Sequence, residues 1–269
     1  MRKNLARIRR GEPVNYPLFL RQLPAAVAGR HTQLFRTEKV ASNRWRVQCL
    51  DDSLLQRLES QAAVPEDRVA AAHQGDSHRA GTDKTYLLVY HGQLVDARPE
   101  VVCQSAQQTL QHFTPKPQVL VVENEQNFAS PELMMAFTAR CTGQPCDFSN
   151  TDVVLGAGNR ITGTLSVAWL SGYDRVLCAF DYDLGGLRMF ASLARRLGDK
   201  ARFVQPAEWH EWELSFRQSP GSSKRFVSAI EQAEQLGFNE LAGTFRRTGH
   251  FMEQEMLLDL ATSELPDEQ

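Results

Sequence analysis

Arg175-Val-Leu-Cys-Ala-Phe-Asp181-Tyr-Asp183-Leu-Gly-Gly-Leu187 runs from an apolar segment through two acids into a glycine turn. After Arg175 the segment to Phe180 is wholly apolar, the pattern of a strand covered on both faces. Asp181 and Asp183 are two apart, so an extended backbone points them the same way. Beyond the turn, Leu187, Phe190, Leu193, Ala194 and Leu197 recur at helical spacing. A buried strand feeding an amphipathic helix predicts a crossover unit of a parallel sheet.

The same alternation extends on either side. Upstream, Val119–Val122 is an apolar run that closes on Glu123, followed by a helix over 131–140 with Leu133, Met134 and Phe137 on one face. Asp152–Leu155 is the next strand and ends in Gly156-Ala157-Gly158, with a helix over 162–170 behind it. Downstream, Ala201–Val204 is a fourth strand, and helices are expected over 224–235 and 240–260 before an acidic tail from Ser263 that frays. The expectation is an α/β fold: a Rossmann-like parallel four-strand domain over 115–269, its core at 117–206, behind an α+β domain over 1–114.

The boundary is set at Pro115 and Pro117. Before it, short helices fill the first forty residues. Ser42–Leu50 reads as a strand, and 52–61 as a helix capped by Asp51, Asp52 or Ser53. Residues 65–83 read as a loop, and Tyr86–Tyr90 with Gln93–Val95 as a hairpin about His91-Gly92. Pro99 stands at the start of a helix carrying Val102, Ala106, Leu110 and Phe113. The apolar segments of 1–114 are too short and interrupted to predict a substantial core of their own.

Composition bounds the function. The 269 residues are 42% hydrophobic and 23% charged, as in a soluble globular protein, and no apolar run is long enough to span a membrane. Basic residues at the start have no apolar stretch behind them, which argues against a signal peptide. Five scattered cysteines, an odd number, fit reduced cytoplasmic thiols, and Cys141 and Cys146 lack the second pair a zinc site needs. Residues 1–50 hold eleven Lys/Arg and two Glu, a balance of +9 in a chain whose net charge is −2. A basic arm on an acidic body points to an anionic partner, nucleic acid or an acidic protein surface, or else to a solvated face.

In an open parallel sheet the site forms at the carboxyl ends of the strands. Glu123, Asp181 and Asp183 stand there, and clustered carboxylates are costly to ionise together without a cation. Hard oxygen donors suit Mg²⁺ or Mn²⁺. Each acid has a plainer reading as a turn or cap residue, Asp183 above all, since a helix starts just after it. Glu125 could be a further ligand or orient a water. Glu253 and Glu255 either extend the site or line a charged helix face.

Other motifs are incomplete. Gly156-Ala-Gly158-Asn-Arg160-Ile-Thr-Gly163 has Ile161 where a dinucleotide fingerprint needs glycine, and no Lys-Ser or Lys-Thr of a P-loop. It reads as a tight turn, or one that admits a phosphate, with Arg160 as a surface arginine or a phosphate contact. His210-Glu211 lacks the second histidine of a zinc protease, because position 214 is Leu. Trp209 and Trp212 read as core or interface, and His250 as a surface residue. An Asp-x-Asp on the third strand, followed by Leu184-Gly185, does not fit the haloacid dehalogenase-like phosphatases.

Glu after the first strand, a glycine turn after the second and Asp-x-Asp after the third resemble the Toprim domain of topoisomerases, primases and nucleases. Val122-Glu123-Asn124-Glu125 with Phe128, Phe180-Asp181-Tyr182-Asp183-Leu184-Gly185 and Glu253-Gln254-Glu255 are similar to the nuclease subunits of Wadjet-type plasmid-defence systems, the JetD/MksG family of MksBEFG condensins. The resemblance implies a metal-dependent DNA endonuclease with Glu123, Asp181 and Asp183 as metal ligands and Glu125 beside them. It implies plasmid DNA and SMC-like condensin subunits as partners, no membrane, and a cytoplasmic, nucleoid-associated location. Arg7, Arg9, Arg10 and Arg160 are the expected DNA contacts. A homodimer is expected, because two sites related by a twofold axis cut both strands of a duplex. The competing expectation is a non-catalytic DNA-binding or scaffold subunit.

Overall fold

The computed structural model describes residues 1–62 and 82–257. The loop expected over 65–83 therefore lies almost wholly outside the described residues, as does the tail from Ser263. The chain divides into two compact units, Met1–Thr82 and Asp83–Gln269.

The first unit is α+β. It runs α1 (Arg2–Arg9), α2 (Tyr16–Leu20), α3 (Ala25–Ala28), α4 (His31–Leu34), β1 (Phe35–Ala41), β2 (Arg44–Cys49) and α5 (Asp52–Ala62). The expected strand over 42–50 is the second arm of an antiparallel hairpin, which turns through Asn43 at φ 53°. Its first arm buries only Phe35, so it carries no alternating apolar signal. Asp51 is the residue that caps α5, its Oδ1 accepting from Leu54 N at 3.2 Å. Leu5, Ile8, Phe19, Phe35, Val47 and Leu58 close a core of this unit's own, against the expectation that residues 1–114 lack one. Short segments suffice because aromatic rings fill the space, Phe19 meeting Phe35 edge-on at 5.7 Å.

The second unit is a mixed α/β layer structure on one seven-stranded sheet. In chain order it comprises β3 (Lys84–Tyr90), β4 (Glu100–Ser105), β5 (Thr109–Leu110), β6 (Gln118–Val122), α6 (Glu125–Phe128), α7 (Pro131–Thr142) and β7 (Thr151–Leu155). Then follow α8 (Thr164–Leu170), β8 (Arg175–Ala179), α9 (Leu184–Leu197), β9 (Ala201–Phe203), α10 (Ser223–Gln235) and α11 (Asn239–Thr248). Strand order is β5-β4-β3-β7-β6-β8-β9. β7, β6, β8 and β9 pair in parallel, whereas β3, β4 and β5 extend the sheet antiparallel from β7. All five residues of β6 and of β7 are buried, the apolar Val119–Val122 and Val153–Leu155 together with the polar Gln118, Thr151 and Asp152. On α9, Leu187, Phe190, Leu193 and Leu197 form the buried stripe.

Four expectations fail here for identifiable reasons. Residues 83–114 belong to this sheet, so the two units part at Thr82/Asp83 instead of at 115. The segment after Pro99 is strand, not helix. Its helical spacing is a coincidence, since Ala106 and Leu110 are exposed while Val102 and Gln104 turn inward with period two. β4, not Gln93–Val95, is the hairpin partner of β3, with Val102 opposite Leu87. Finally, α11 stops at Thr248 because Gly249 takes a left-handed cap, φ 70°. Phe251 and Met252 then bridge back to Gln218 and Tyr182, so Glu253 and Glu255 lie on no long helix face.

Candidate metal centre

β6 lies between β7 and β8, with Val122 level with both Leu155 and Ala179. The residues that follow each strand therefore emerge together at one edge of the sheet. Glu123 N continues the ladder by donating to Ala179 O at 3.2 Å. Its carboxylate reaches the next strand, where Oε2 accepts from Asp181 N at 2.9 Å. On the other side Gly156 N donates to Val122 O at 2.7 Å, and a Cβ on Gly156 would stand 3.0 Å from that oxygen. The glycine turn after β7 thus closes onto the backbone that holds Glu123.

Tyr182, between the two acids, points the opposite way. It is fully buried, donates its hydroxyl to Val204 O at 3.0 Å and meets Trp209 edge-on at 4.8 Å. Its backbone pairs with Met252 in both directions, at 2.9 and 3.2 Å. That bridge delivers Gln254 N to Asp181 Oδ1, at 2.8 Å. Asp183 is 7% exposed and caps α9, Oδ1 accepting from Gly186 N at 2.8 Å. Its Oδ2 accepts from Arg225 Nη2. Gly186 is obligatory, because a Cβ there would fall 2.2 Å from Asp181 O.

Burial is the main force on the protonation of this cluster. It pushes Glu123 up to about 7, with the negative charges of Asp183 and Glu255 adding and the Asp181 N–H opposing. Burial pushes Asp181 up to about 8, reinforced by Glu123, Glu255 and Asp183 and opposed by the Gln254 N–H. Both carboxylates are therefore costly to ionise in the protein alone. Glu255 is half-buried, and its Oε2 has no hydrogen-bond partner. Asn127, four residues beyond Glu123, is fully buried with both side-chain polar atoms unpartnered. Such groups cost about 1–3 kcal/mol each when left unsatisfied. A hard divalent cation fits this donor set, since carboxylate oxygens are its usual ligands and its charge would offset the repulsion.

The expected residues divide accordingly. Glu123 and Asp181 are brought together, and Glu255 joins them electrostatically. Asp183 is close, but its oxygens are taken by the helix cap and by Arg225. No three His, Cys, Asp or Glu side chains among the described residues form a ready-made metal-ligating group. Glu125 is exposed in the first turn of α6, and Glu253 is exposed and accepts from Gln218 Nε2 at 2.6 Å. Arg160 is exposed, 3.4 Å from Tyr86 O.

In the first unit the three expected DNA contacts all face acids. Arg9 bonds Glu59 at 2.7 Å and Asp52 at 2.9 Å, Arg10 bonds Glu12 at 2.7 Å, and Arg7 lies 3.4 Å from Glu12. Trp209 and Trp212 are core residues, Trp212 packing on Phe137 at 5.5 Å. His250 is exposed and bonds only its local turn. All five cysteines are free thiols, and no helix among the described residues is long and apolar enough to cross a membrane.

Sequence reading misses Arg225, the Gln254 N–H and Asn127. A backbone donor leaves no mark in a sequence, and Arg225 follows Asp183 by 42 positions. The one available signal was Ser222, a helix N-cap that accepts from Arg225 N at 3.2 Å and so fixes where that arginine stands.

A search of the curated proteins returns no match to the chain. The family model for the C-terminal region of the Wadjet protein JetD matches residues 82–265, the sheet unit with its acidic edge, and the chain belongs to that family.

Proposed function

We propose that this chain is a divalent-metal-dependent DNA endonuclease, the nuclease subunit of a Wadjet-type plasmid-defence complex, built on a Toprim core. The observation that carries the reading is the pairing of Glu123 with Asp181 at adjacent strand ends. Both are held toward their neutral forms, and Glu255 is left with an unpartnered oxygen. The parallel order β7-β6-β8-β9, with acids after β6 and β8, supports the Toprim assignment. Membership of the JetD family supports SMC-like condensin subunits as partners and plasmid DNA as substrate.

Glu123, Asp181 and Glu255 would hold Mg²⁺ or Mn²⁺, while Asp183 stays with the helix cap and Arg225. The bound metal would neutralise phosphate charge and lower the pKa of an attacking water. The chain's own part is orientation. The Asp181 N–H fixes Glu123 Oε2, and the Gln254 N–H fixes Asp181 Oδ1, so each acid presents its other oxygen in one direction. Glu125, exposed two residues after Glu123, would orient a water.

The test is supercoiled plasmid incubated with the full chain and Mn²⁺ or Mg²⁺, beside Asp181→Asn and an EDTA control. Nicked or linear product from the wild type alone is expected. Equal cleavage by the variant, or in EDTA, refutes the reading. The Asp183–Arg225 pair favours a second reading, a scaffold subunit that binds DNA without cutting it. Calorimetry with Mn²⁺ separates the two, because a scaffold shows no metal binding that Asp181→Asn removes.

A further inference from the structure

An acidic edge repels the very polyanion the proposed reaction must bind. Glu123 and Asp181 meet there, Glu123 Oε2 accepting from Asp181 N at 2.9 Å, and the nearby Glu255 has an oxygen without a hydrogen-bond partner. A phosphodiester approaching them meets like charge before any metal offsets it. Among the described residues, the hydrogen bonds and ion pairs of this edge contain one cationic side chain, Arg225 on α10, through Asp183 Oδ2.

The arginine is held from three directions. Its backbone N–H is capped by Ser222 Oγ at the start of the 13-residue α10. Its guanidinium lies 5.4 Å from the centre of the Phe251 ring, a contact that keeps the planar group from swinging freely. Phe251 is fully buried and bridges to Gln218, and the next residue, Met252, bridges to Tyr182 between the two acids. The arginine and the carboxylates are therefore positioned by one continuous network.

That network leaves most of the arginine's bonding capacity unspent. A guanidinium has five donors in a planar fork. Asp183 takes one, and no other acceptor among the described residues bonds the side chain, which is 42% exposed. The carboxylate of Asp183 is itself fixed by the Gly186 N–H, so it serves as an anchor. An anchored, ring-stacked arginine with an open edge matches the paired non-bridging oxygens of a phosphodiester.

We propose that Arg225 is the substrate-phosphate-binding residue of this site, its free edge holding a DNA phosphodiester beside Glu123 and Asp181. The inference rests on the nuclease reading for the identity of the anion. Asp183 acts through it as a positioning residue, which accounts for a buried acid that is committed to an arginine. Lysine cannot replace it fully, because an ammonium supplies a point charge without the fork.

The experiment uses the full chain with a short fluorescent DNA duplex, in Ca²⁺ so that binding is read apart from cleavage. Anisotropy is followed across a salt series for the wild type, R225K, R225A and D181N. R225A is expected to bind about ten-fold more weakly, as for the loss of one charge-assisted group. Its slope of log affinity against log salt should be shallower by about one, the signature of one lost phosphate contact. R225K should restore the slope and only part of the affinity. Wild-type affinity and slope in R225A, with its circular dichroism unchanged, would overturn the proposal and leave Arg225 as a partner of the helix cap. Should R225A not fold, R225K decides alone: unchanged affinity overturns the proposal and a several-fold loss supports it. If D181N cleaves like the wild type while R225A loses its phosphate contact, the nuclease reading fails and the phosphate site stands. Absence of duplex binding by the wild type sinks both.

Discussion

Asp181 gives the acidic edge a measurable cost. Its carboxyl ordinarily titrates at 3.8 and is pushed up to about 8 in the folded chain, chiefly by burial and then by Glu123. Between those values the folded state keeps a proton that the unfolded state has lost. Stability therefore falls as pH rises, by about 1.4 kcal/mol per pH unit for one such group. From pH 5.5 to pH 8 the metal-free protein should lose on the order of 3 kcal/mol through Asp181 alone. Glu123, pushed up to about 7, acts in the same direction, and its charge is one cause of the Asp181 shift, so the two losses overlap. Asp181→Asn removes the titrating proton while Asn Oδ1 can still accept from Gln254 N. The variant should thus be less sensitive to pH and, in EDTA at pH 8, more stable than the wild type. Urea unfolding followed by tryptophan fluorescence reads this, since Trp169, Trp209 and Trp212 are all buried in the sheet unit. Mn²⁺ should reverse the order at pH 8, adding about 2.7 kcal/mol to the wild type at a hundred times its dissociation constant. A wild-type-minus-variant difference that stays flat from pH 5.5 to 8 in EDTA would refute the burial account.

Further outcomes follow from the same geometry. Gly186→Ala places a Cβ 2.2 Å from Asp181 O, so the start of α9 must move and the melting temperature should drop, at a cost of about 1–3 kcal/mol or more. Glu255→Gln should weaken Mn²⁺ binding by calorimetry without lowering thermal stability in EDTA, because its Oε2 has no partner to lose. Neutralising Arg7, Arg9 and Arg10 together should weaken duplex binding and flatten its salt dependence. An unchanged slope would instead assign the basic arm to protein docking. Light scattering at micromolar concentration should give twice the chain mass if a twofold pair of sites cuts the duplex, and a monomer at every concentration would remove that expectation.

The legible part of the fold was the part whose physics is local. β6 and β8 announce themselves because a strand buried on both faces is almost continuously apolar, and α9 because its stripe repeats at helical spacing. The antiparallel extension was not legible. β4 has one exposed face, Pro99 stands at a helix-like start, and Val102, Ala106, Leu110 and Phe113 mimic helical spacing by chance. Pairing with β3 decides the matter, and that pairing is a tertiary fact. The early end of α11 was legible, since Gly249 is the expected cap residue, and a helix carried through it overrides a clear stop signal.

The candidate site shows where residue types stop being informative. Three acids at strand ends are visible in the sequence, and two of them do meet across β6 and β8. What marks Asp183 off from Asp181 in the sequence is only the helix that starts just after it, which makes it the cap; the arginine that joins it is not visible there. Their difference arises one residue later, where the chain turns into α9. The helix needs an acceptor for its first N–H groups, and the second acid is the residue in range, so Asp183 is drawn into the cap. Asp181, one position before Tyr182, is held by a strand-like bridge from Met252 that sits 70 residues on in the chain. The same bridge carries Gln254 and Glu255 to the edge and Phe251 under Arg225. A sequence motif of two acids is thus split by the fold into a free carboxylate and an anchored one. The anchored one recruits the cation that a free pair would have lacked.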